Sequence, residues 1–127
     1  PTRRSSDLSD GQWSRAKGFD TFCPLGPWIV THLSVEEAGD LSLVTSVDGE
    51  VKQDAGTSQM VYAIPDLIAY VSAFTTLLPG DVILTGTPAG VGPILAGQRV
   101  SVEIDGIGTL TNPVIDDEVD AESSAAR

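Results

Sequence analysis

Two Asp-Gly dipeptides, Asp48-Gly49 and Asp105-Gly106, constrain this chain more than any other feature. The first separates residues 41–47 (Leu-Ser-Leu-Val-Thr-Ser-Val), where apolar and polar side chains alternate for much of the length, from the run 50–53. The second separates 100–104 (Val-Ser-Val-Glu-Ile) from 107–111 (Ile-Gly-Thr-Leu-Thr). Alternation with a period of two places one set of side chains on each face of a sheet. Asp-Gly between extended runs favours a two-residue type I′ turn, because both turn residues then take positive φ. Two hairpins are predicted, the second with the same turn chemistry as the first.

Ile64-Pro65-Asp66 predicts a helix start: proline is tolerated in the first turn, and Asp66 faces the positive end of the helix dipole. Leu67, Ile68, Val71, Phe74 and Leu78 recur at three- and four-residue spacing and give the helix one face to bury. Pro79-Gly80 ends it. Residues 81–85 (Asp-Val-Ile-Leu-Thr) then read as a strand of the buried type. Residues 19–30 are loop-like, interrupted by Pro24, Gly26 and Pro27, and should wrap a surface or form an edge. At least five strands and one clear helix predict an α+β, mostly β body, with the helix covering one sheet face. One helix cannot supply the crossovers of a doubly wound parallel sheet.

The 127 residues fit one domain. A net charge of -11 argues against a nucleic-acid partner, which wants a basic face. No apolar run approaches the length of a membrane span and no signal-peptide pattern is present, so no membrane partner is expected. The single cysteine, Cys23, excludes an internal disulfide framework and suits a reducing, cytoplasmic compartment; it reads as a small buried hydrophobe. Asp116, Asp117, Glu118, Asp120 and Glu122 crowd residues 115–127, which are expected to form an acidic, disordered tail. Residues 1–8 correspond codon for codon to a common short-read sequencing adapter, and the chain lacks an initiating Met. They are expected to be non-native, leaving 9–114 as the folded body.

Two glycine- and proline-punctuated loops each carry a polar group able to meet a substrate. Lys17 lies in the first, residues 15–28; Thr85 and Thr87 lie in the second, residues 84–93. An ammonium in a partly dehydrated loop stabilises a developing enolate or carboxylate oxyanion by roughly 3 kcal/mol or more. Trp13, Phe19 and Phe22 are at hand to dehydrate Lys17; the plain alternative is a solvated surface lysine. Thr85-Gly86-Thr87 ends a predicted strand, and its glycine lets backbone approach a ligand closely. It lacks the Gly-Lys-Ser/Thr ending of a nucleotide loop, and a plain turn is its alternative. His32, the only histidine, has no nucleophile in an activating context and reads as a solvated loop residue. Glu36-Glu37 are adjacent in a polar loop and diverge in either regular structure, so they make no ready metal clamp. Asp20 is either a salt partner of Lys17 or a turn residue. Residues 57–60 (Thr-Ser-Gln-Met) read as loop chemistry before site chemistry. No metal ligand is assigned.

Four stretches taken together carry a resemblance: Arg15-Ala-Lys-Gly-Phe-Asp-Thr-Phe22, Thr57-Ser-Gln-Met60, residues 78–93 (Leu-Pro-Gly-Asp-Val-Ile-Leu-Thr-Gly-Thr-Pro-Ala-Gly-Val-Gly-Pro), and Gly106-Ile-Gly-Thr-Leu-Thr-Asn-Pro113. In this order and spacing, residues 10–114 resemble the fumarylacetoacetate hydrolase family, in particular its bacterial members. The resemblance implies a mixed β-sandwich roll and a Mg2+ or Mn2+ ion that grips the oxygens of a β-dicarbonyl or 2-oxo acid. It implies hydrolysis of C–C bonds in such substrates, as in the catabolism of aromatic compounds. Isomerisation of the 2-hydroxyhepta-2,4-diene-1,7-dioate type and decarboxylation of the oxaloacetate type are the alternatives. Lys17 looks like the family's catalytic lysine, Thr87 like the threonine that binds a substrate oxygen, and Gly86 like the residue that gives the backbone room. The family's Glu-x-Glu ligand pair, its Asp ligand, a nearby glutamine and its His/Glu lid lie upstream of that lysine. Here only sixteen residues precede Lys17, so the chain is expected to be a C-terminal part of a parent enzyme, commonly a homodimer, and inactive alone. A non-catalytic β-rich binding module is the reading from another class. The two are separated by whether Lys17 and Thr87 converge on one pocket.

Overall fold

Positive φ at Asp48 (50°) and Gly49 (84°) closes the first hairpin as the sequence predicts, the type I′ combination. The computed structural model describes residues 12, 14 and 17–116. The segment 1–8, the Asp10-Gly11 turn, Trp13 and the acidic run 117–122 lie outside the described residues. The hairpin joins β1 (Ser42–Val47) to β2 (Glu50–Gly56), and a second joins β3 (Arg99–Ile104) to β4 (Gly108–Pro113). Pairing of β1 with β3 completes a four-stranded, fully antiparallel sheet of order β2-β1-β3-β4. The α+β, mostly β class is therefore as expected.

The second turn differs from the first. Ile104 pairs with Gly108, so three residues form the loop, and Gly106 alone among Asp105-Gly106-Ile107 takes a positive φ (72°). The Ile107 N–H donates to the Ile104 carbonyl at 3.0 Å, closing a turn whose third position is the glycine, the type II pattern. Gly108, also at positive φ (119°), absorbs the extra residue.

The sheet has unlike faces. Leu43 and Val47 of β1 share a face with Val100, Val102 and Ile104 of β3 and Leu110 of β4, by register. The opposite face carries Ser46, Ser101, Glu103 and Thr111, where the Ser101 and Thr111 hydroxyls lie 2.8 Å apart. Loop 26–28 crosses the apolar face over β4: a Cβ on Gly108 would meet Pro27 and Trp28, and one on Gly26 would meet Leu110. This is the wrapping role expected of 19–30. Among the described residues only Val47 and Val114 are buried apolar side chains.

Two short helices, one ahead of β1 and one between β2 and β3, accompany these strands among the described residues. α1 (Val35–Ala38) begins in a capping box. The Glu37 N–H donates to Ser34 Oγ (3.1 Å), and the Ser34 N–H donates to Glu37 Oε2 (2.7 Å). Ser-x-x-Glu at 34–37 is a readable signature that the adjacent-carboxylate reading passes over. The Ser34 hydrogen bonds, backbone first, hold the Glu37 carboxyl below its ordinary value, with a smaller contribution from His32. A carboxyl held low in the folded state stabilises above its unfolded pKa and ceases to do so as pH falls through the folded value. The cap is thus expected to loosen in acid. The Glu37 amide shift should titrate below the usual glutamate midpoint in the wild type and return part of the way toward it in Ser34→Ala, which removes the hydroxyl and keeps the backbone N–H; an identical titration in both would dismiss the Ser34 hydroxyl as a cause.

α2 (Ile64–Ser72) starts at the Pro65-Asp66 turn as predicted. It ends earlier than Pro79-Gly80, because Ser72 Oγ turns back to the Ala69 carbonyl (3.1 Å) and the β-branched Thr75 and Thr76 follow. Phe74 and Leu78 therefore lie beyond the helix and are exposed, as is Ile68, while Ile64, Leu67 and Val71 are half-buried. α2 makes no extensive contact with any strand, so it does not cover the sheet. Residues 81–85, expected as a fifth strand, are extended but pair with no other described strand. Apolar β-prone sequence forms a strand only where a neighbouring edge supplies hydrogen bonds. Cys23, expected inside, is exposed.

Candidate functional site

A cavity of about 340 Å³ opens where the end of the β1–β2 hairpin meets the glycine loop. It is lined by Leu43 and Ala55 of the hairpin, Leu67 of α2, Thr57, Gln59 and Tyr62 from the segment after β2, and Thr85, Gly86 and Thr87 of the glycine loop. Two loops build it, and local hydrogen bonds set each.

The turn at Thr57–Gln59 follows β2 directly. Thr57 Oγ1 donates to the Ala38 carbonyl (2.8 Å) and accepts the Leu41 N–H (2.8 Å), while its own N–H donates to the Leu41 carbonyl (2.9 Å). Its hydroxyl is spent on structure, although it lines the cavity. Gln59 Oε1 accepts the Gly56 N–H (3.2 Å). Residues 57–60 thus form the hydrogen-bonded turn expected of them, and Thr57, Gln59 and Met60 also line the cavity.

The glycine loop is launched by Leu78-Pro79-Gly80-Asp81. Here the Asp81 N–H donates to the Leu78 carbonyl (3.0 Å), Asp81 Oδ2 accepts the Leu78 N–H (2.8 Å), and Gly80 takes φ 98°. It is anchored at its far end to β2. Gln53 Nε2 donates to Thr87 Oγ1 (2.7 Å) and to the Pro88 carbonyl (2.9 Å). A bulge opposite Thr45 and Ser46 leaves Lys52 as the extra residue of β2. A Cβ on Gly90 would overlap the Lys52 carbonyl, so the loop reaches the strand only through a glycine. Gly86 takes φ 102°, and a Cβ there would meet nothing within 4 Å: its cavity side is open.

Of the predicted substrate-binding residues, Gly86 and Thr87 line this cavity together. Lys17 is exposed and lies outside its lining. Phe19 and Phe22, expected to dehydrate Lys17, are half-buried against each other with ring centroids 5.3 Å apart. Asp20 and His32 are exposed. Loop 26–28 lies over β4 and the glycine loop over β2, three strand spacings apart, about 14 Å.

Among the described residues no carboxylate lines the cavity. A shallower concavity beside it carries Asp40, Asp54 and Asp105. Among the described residues no three His, Cys, Asp or Glu side chains are placed to hold one metal ion. A hard cation such as Mg2+ or Mn2+ wants about six oxygens with carboxylates among them, and the cavity offers hydroxyls, side-chain amides and backbone only. The described residues do not fit that ion. No helix among them is long and apolar enough to cross a membrane.

Sequence reasoning missed Gln53 and Tyr62.

The sequence model described as fumarylacetoacetate (FAA) hydrolase C-terminal matches residues 2–115. The chain is 50% identical over 111 residues to a human mitochondrial oxaloacetate tautomerase, covering 82% of this chain and 35% of that protein. Its fold is similar to the crystal structure of 2-hydroxyhepta-2,4-diene-1,7-dioate isomerase from Mycobacterium marinum, with TM-score 0.82 and 59% identity over 90% of this chain and 44% of that one. It is also similar to maleylpyruvate hydrolase from Sphingobium sp. SYK-6 in complex with manganese(II) ion and pyruvate, with TM-score 0.76 and 42% identity over 84% and 40% of the two chains. The chain spans less than half the length of each of these relatives.

Proposed function

The chain belongs to the fumarylacetoacetate hydrolase family, and from that premise we propose that it supplies the substrate-oxygen wall of an enzyme acting on 2-oxo acids or β-dicarbonyls. The reaction we assign is hydrolysis of a C–C bond in such a substrate. Isomerisation or tautomerisation through the same enolate-like charge is the second reading, favoured by the isomerase and tautomerase among the relatives.

The observation that carries the reading is the state of Thr87. The Pro88 carbonyl can only accept, so the group that Gln53 turns toward it is the NH2 end of the amide. Thr87 Oγ1, bonded to the same nitrogen, must then accept too, which leaves its hydrogen to donate. A hydroxyl donor beside an open glycine in a carboxylate-free cavity suits an anionic or carbonyl oxygen. Thr87 and Gly86 are thus the substrate-binding residues of the proposal.

Lys17 has the catalytic role in the proposal, an ammonium that shares the negative charge developing on substrate. Its support is the Arg15-Ala-Lys-Gly-Phe-Asp motif. Since Lys17 does not line the cavity, Lys17→Met is expected to leave pyruvate affinity of this chain within about twofold. In the same proposal it lowers turnover about 100-fold or more where the chain is joined to the rest of a family enzyme. A large loss of pyruvate affinity in Lys17→Met would move the lysine into the binding site instead. The chain alone is proposed not to turn over oxaloacetate or maleylpyruvate, because it holds no cation shell among its described residues.

The test of the binding role is an amide-shift titration of the 127-residue chain with pyruvate. The expected result is weak, saturable binding with shifts concentrated at 57–62 and 85–88. Saturable shifts elsewhere, or none, would reject the cavity as an oxo-acid site.

A further inference from the structure

We propose that Gln53 is a positioning residue for this site: its amide fixes Thr87 as a hydrogen-bond donor to the bound oxo acid. The inference rests on the oxo-acid reading above and adds the residue that sets the polarity of its donor. Gln53 lies on β2, half-buried, facing Thr45 across the hairpin. It ties β2 to the glycine loop, 34 residues apart in sequence. A threonine hydroxyl free to rotate can donate to or accept from a neighbour, and an enolate or carboxylate oxygen needs donation alone. By donating to both Thr87 Oγ1 (2.7 Å) and the Pro88 carbonyl (2.9 Å), the Gln53 amide fills one acceptor site of the hydroxyl, leaves its hydrogen for substrate and orders the loop in one step.

This polarity is testable because glutamate is nearly isosteric with glutamine but accepts where glutamine donates. In Gln53→Glu at neutral pH, the carboxylate accepts the Thr87 hydroxyl hydrogen and faces the Pro88 carbonyl with like partial charge. Thr87 then has no hydrogen left for substrate. When the new carboxyl is protonated it donates again. The surroundings allow that titration to be read: residues 85–90 carry no titratable side chain, and among the described residues the cavity lining holds no carboxylate, imidazole or amine. Thr45 is neutral, and the Lys52 ammonium is paired with Glu50 at 2.6 Å. Asp54, the other charged neighbour on the strand, projects to the opposite face.

The experiment measures pyruvate affinity of the 127-residue chain and its Gln53→Glu and Gln53→Ala variants across pH, with backbone amide shifts of β3 and β4 as the folding control. The expected result is a loss of about tenfold or more for Gln53→Glu at neutral pH, recovered as pH falls through the ordinary carboxyl range. Gln53→Ala is expected to stay weak at every pH. Wild-type affinity in Gln53→Glu at neutral pH, or a loss that acid does not reverse, overturns the proposal. A ligand-free readout separates this failure from failure of the oxo-acid reading: the Gln53 side-chain NH2 resonances should shift in Thr87→Val. If they shift and wild type binds no pyruvate, the contact stands and the functional reading falls, taking the positioning role with it. If they do not shift, the contact itself is refuted.

Discussion

Gly90→Ala is expected to detach the glycine loop from the sheet and abolish pyruvate binding. Two penalties coincide at this position. Its φ of 105° lies in the region that a side chain occupies at a cost of about 1–3 kcal/mol. The added Cβ would also overlap the Lys52 carbonyl, a backbone atom held in a hairpin that cannot swing aside like a side-chain end. Loop and strand must separate, and the Gln53 bonds to Thr87 and Pro88 go with them. Gly86→Ala provides the contrast. It carries a similar φ (102°) but open space around the new methyl, so only the conformational cost applies, about 1–2 kcal/mol. Pyruvate titrations should therefore show complete loss for Gly90→Ala and partial loss for Gly86→Ala. Equal affinities in the two variants would mean that the Lys52 approach does not hold the loop.

The second large effect concerns stability. The isolated chain is expected to unfold without a sharp transition, to bind a hydrophobic dye and to self-associate with rising concentration. Burying a large apolar side chain contributes about 1.5–3 kcal/mol, whereas ordering each residue costs about 1–2 kcal/mol of backbone entropy. Among the described residues only Val47 and Val114 are buried, while Tyr70 (71% exposed), Phe74 (69%), Leu84 (75%) and Val91 (74%) lie open to solvent. These four lie in or near α2 and the unpaired segment 81–85, the elements the sequence marks as core-forming. An apolar surface of this extent is the mark of an interface waiting for its other side. Urea unfolding followed by circular dichroism, with sedimentation on the same samples, checks the expectation. A steep, concentration-independent transition in a monomer would contradict it.

Local chemistry was legible in the sequence, and tertiary partnership was not. The hairpin at Asp48-Gly49 and the helix start at Pro65-Asp66 depend on a few adjacent residues, and both appear where expected. The Asp105-Gly106 turn shows the limit of that logic. The dipeptide sets a turn, but register leaves three residues in the loop, and Gly108 supplies the second positive φ. Residues 81–85 have strand composition and form no strand, because composition cannot say whether an edge is available to pair with. Lys17 and Thr87 were read from separate loops. Gly86 and Thr87 line a cavity, whereas Lys17 is exposed outside it. Gln53 escaped notice because its meaning lies in a contact with the loop at 87–88, which spacing along a strand does not announce.

The central claim is that Thr87 holds a hydroxyl hydrogen for an oxo-acid oxygen. The most direct measurement is the pyruvate dissociation constant of Thr87→Val against wild type, since valine keeps the shape and removes the donor. The account predicts a loss of about 1–3 kcal/mol, or roughly 5- to 150-fold in affinity. An unchanged constant, with the chain still folded, would contradict it.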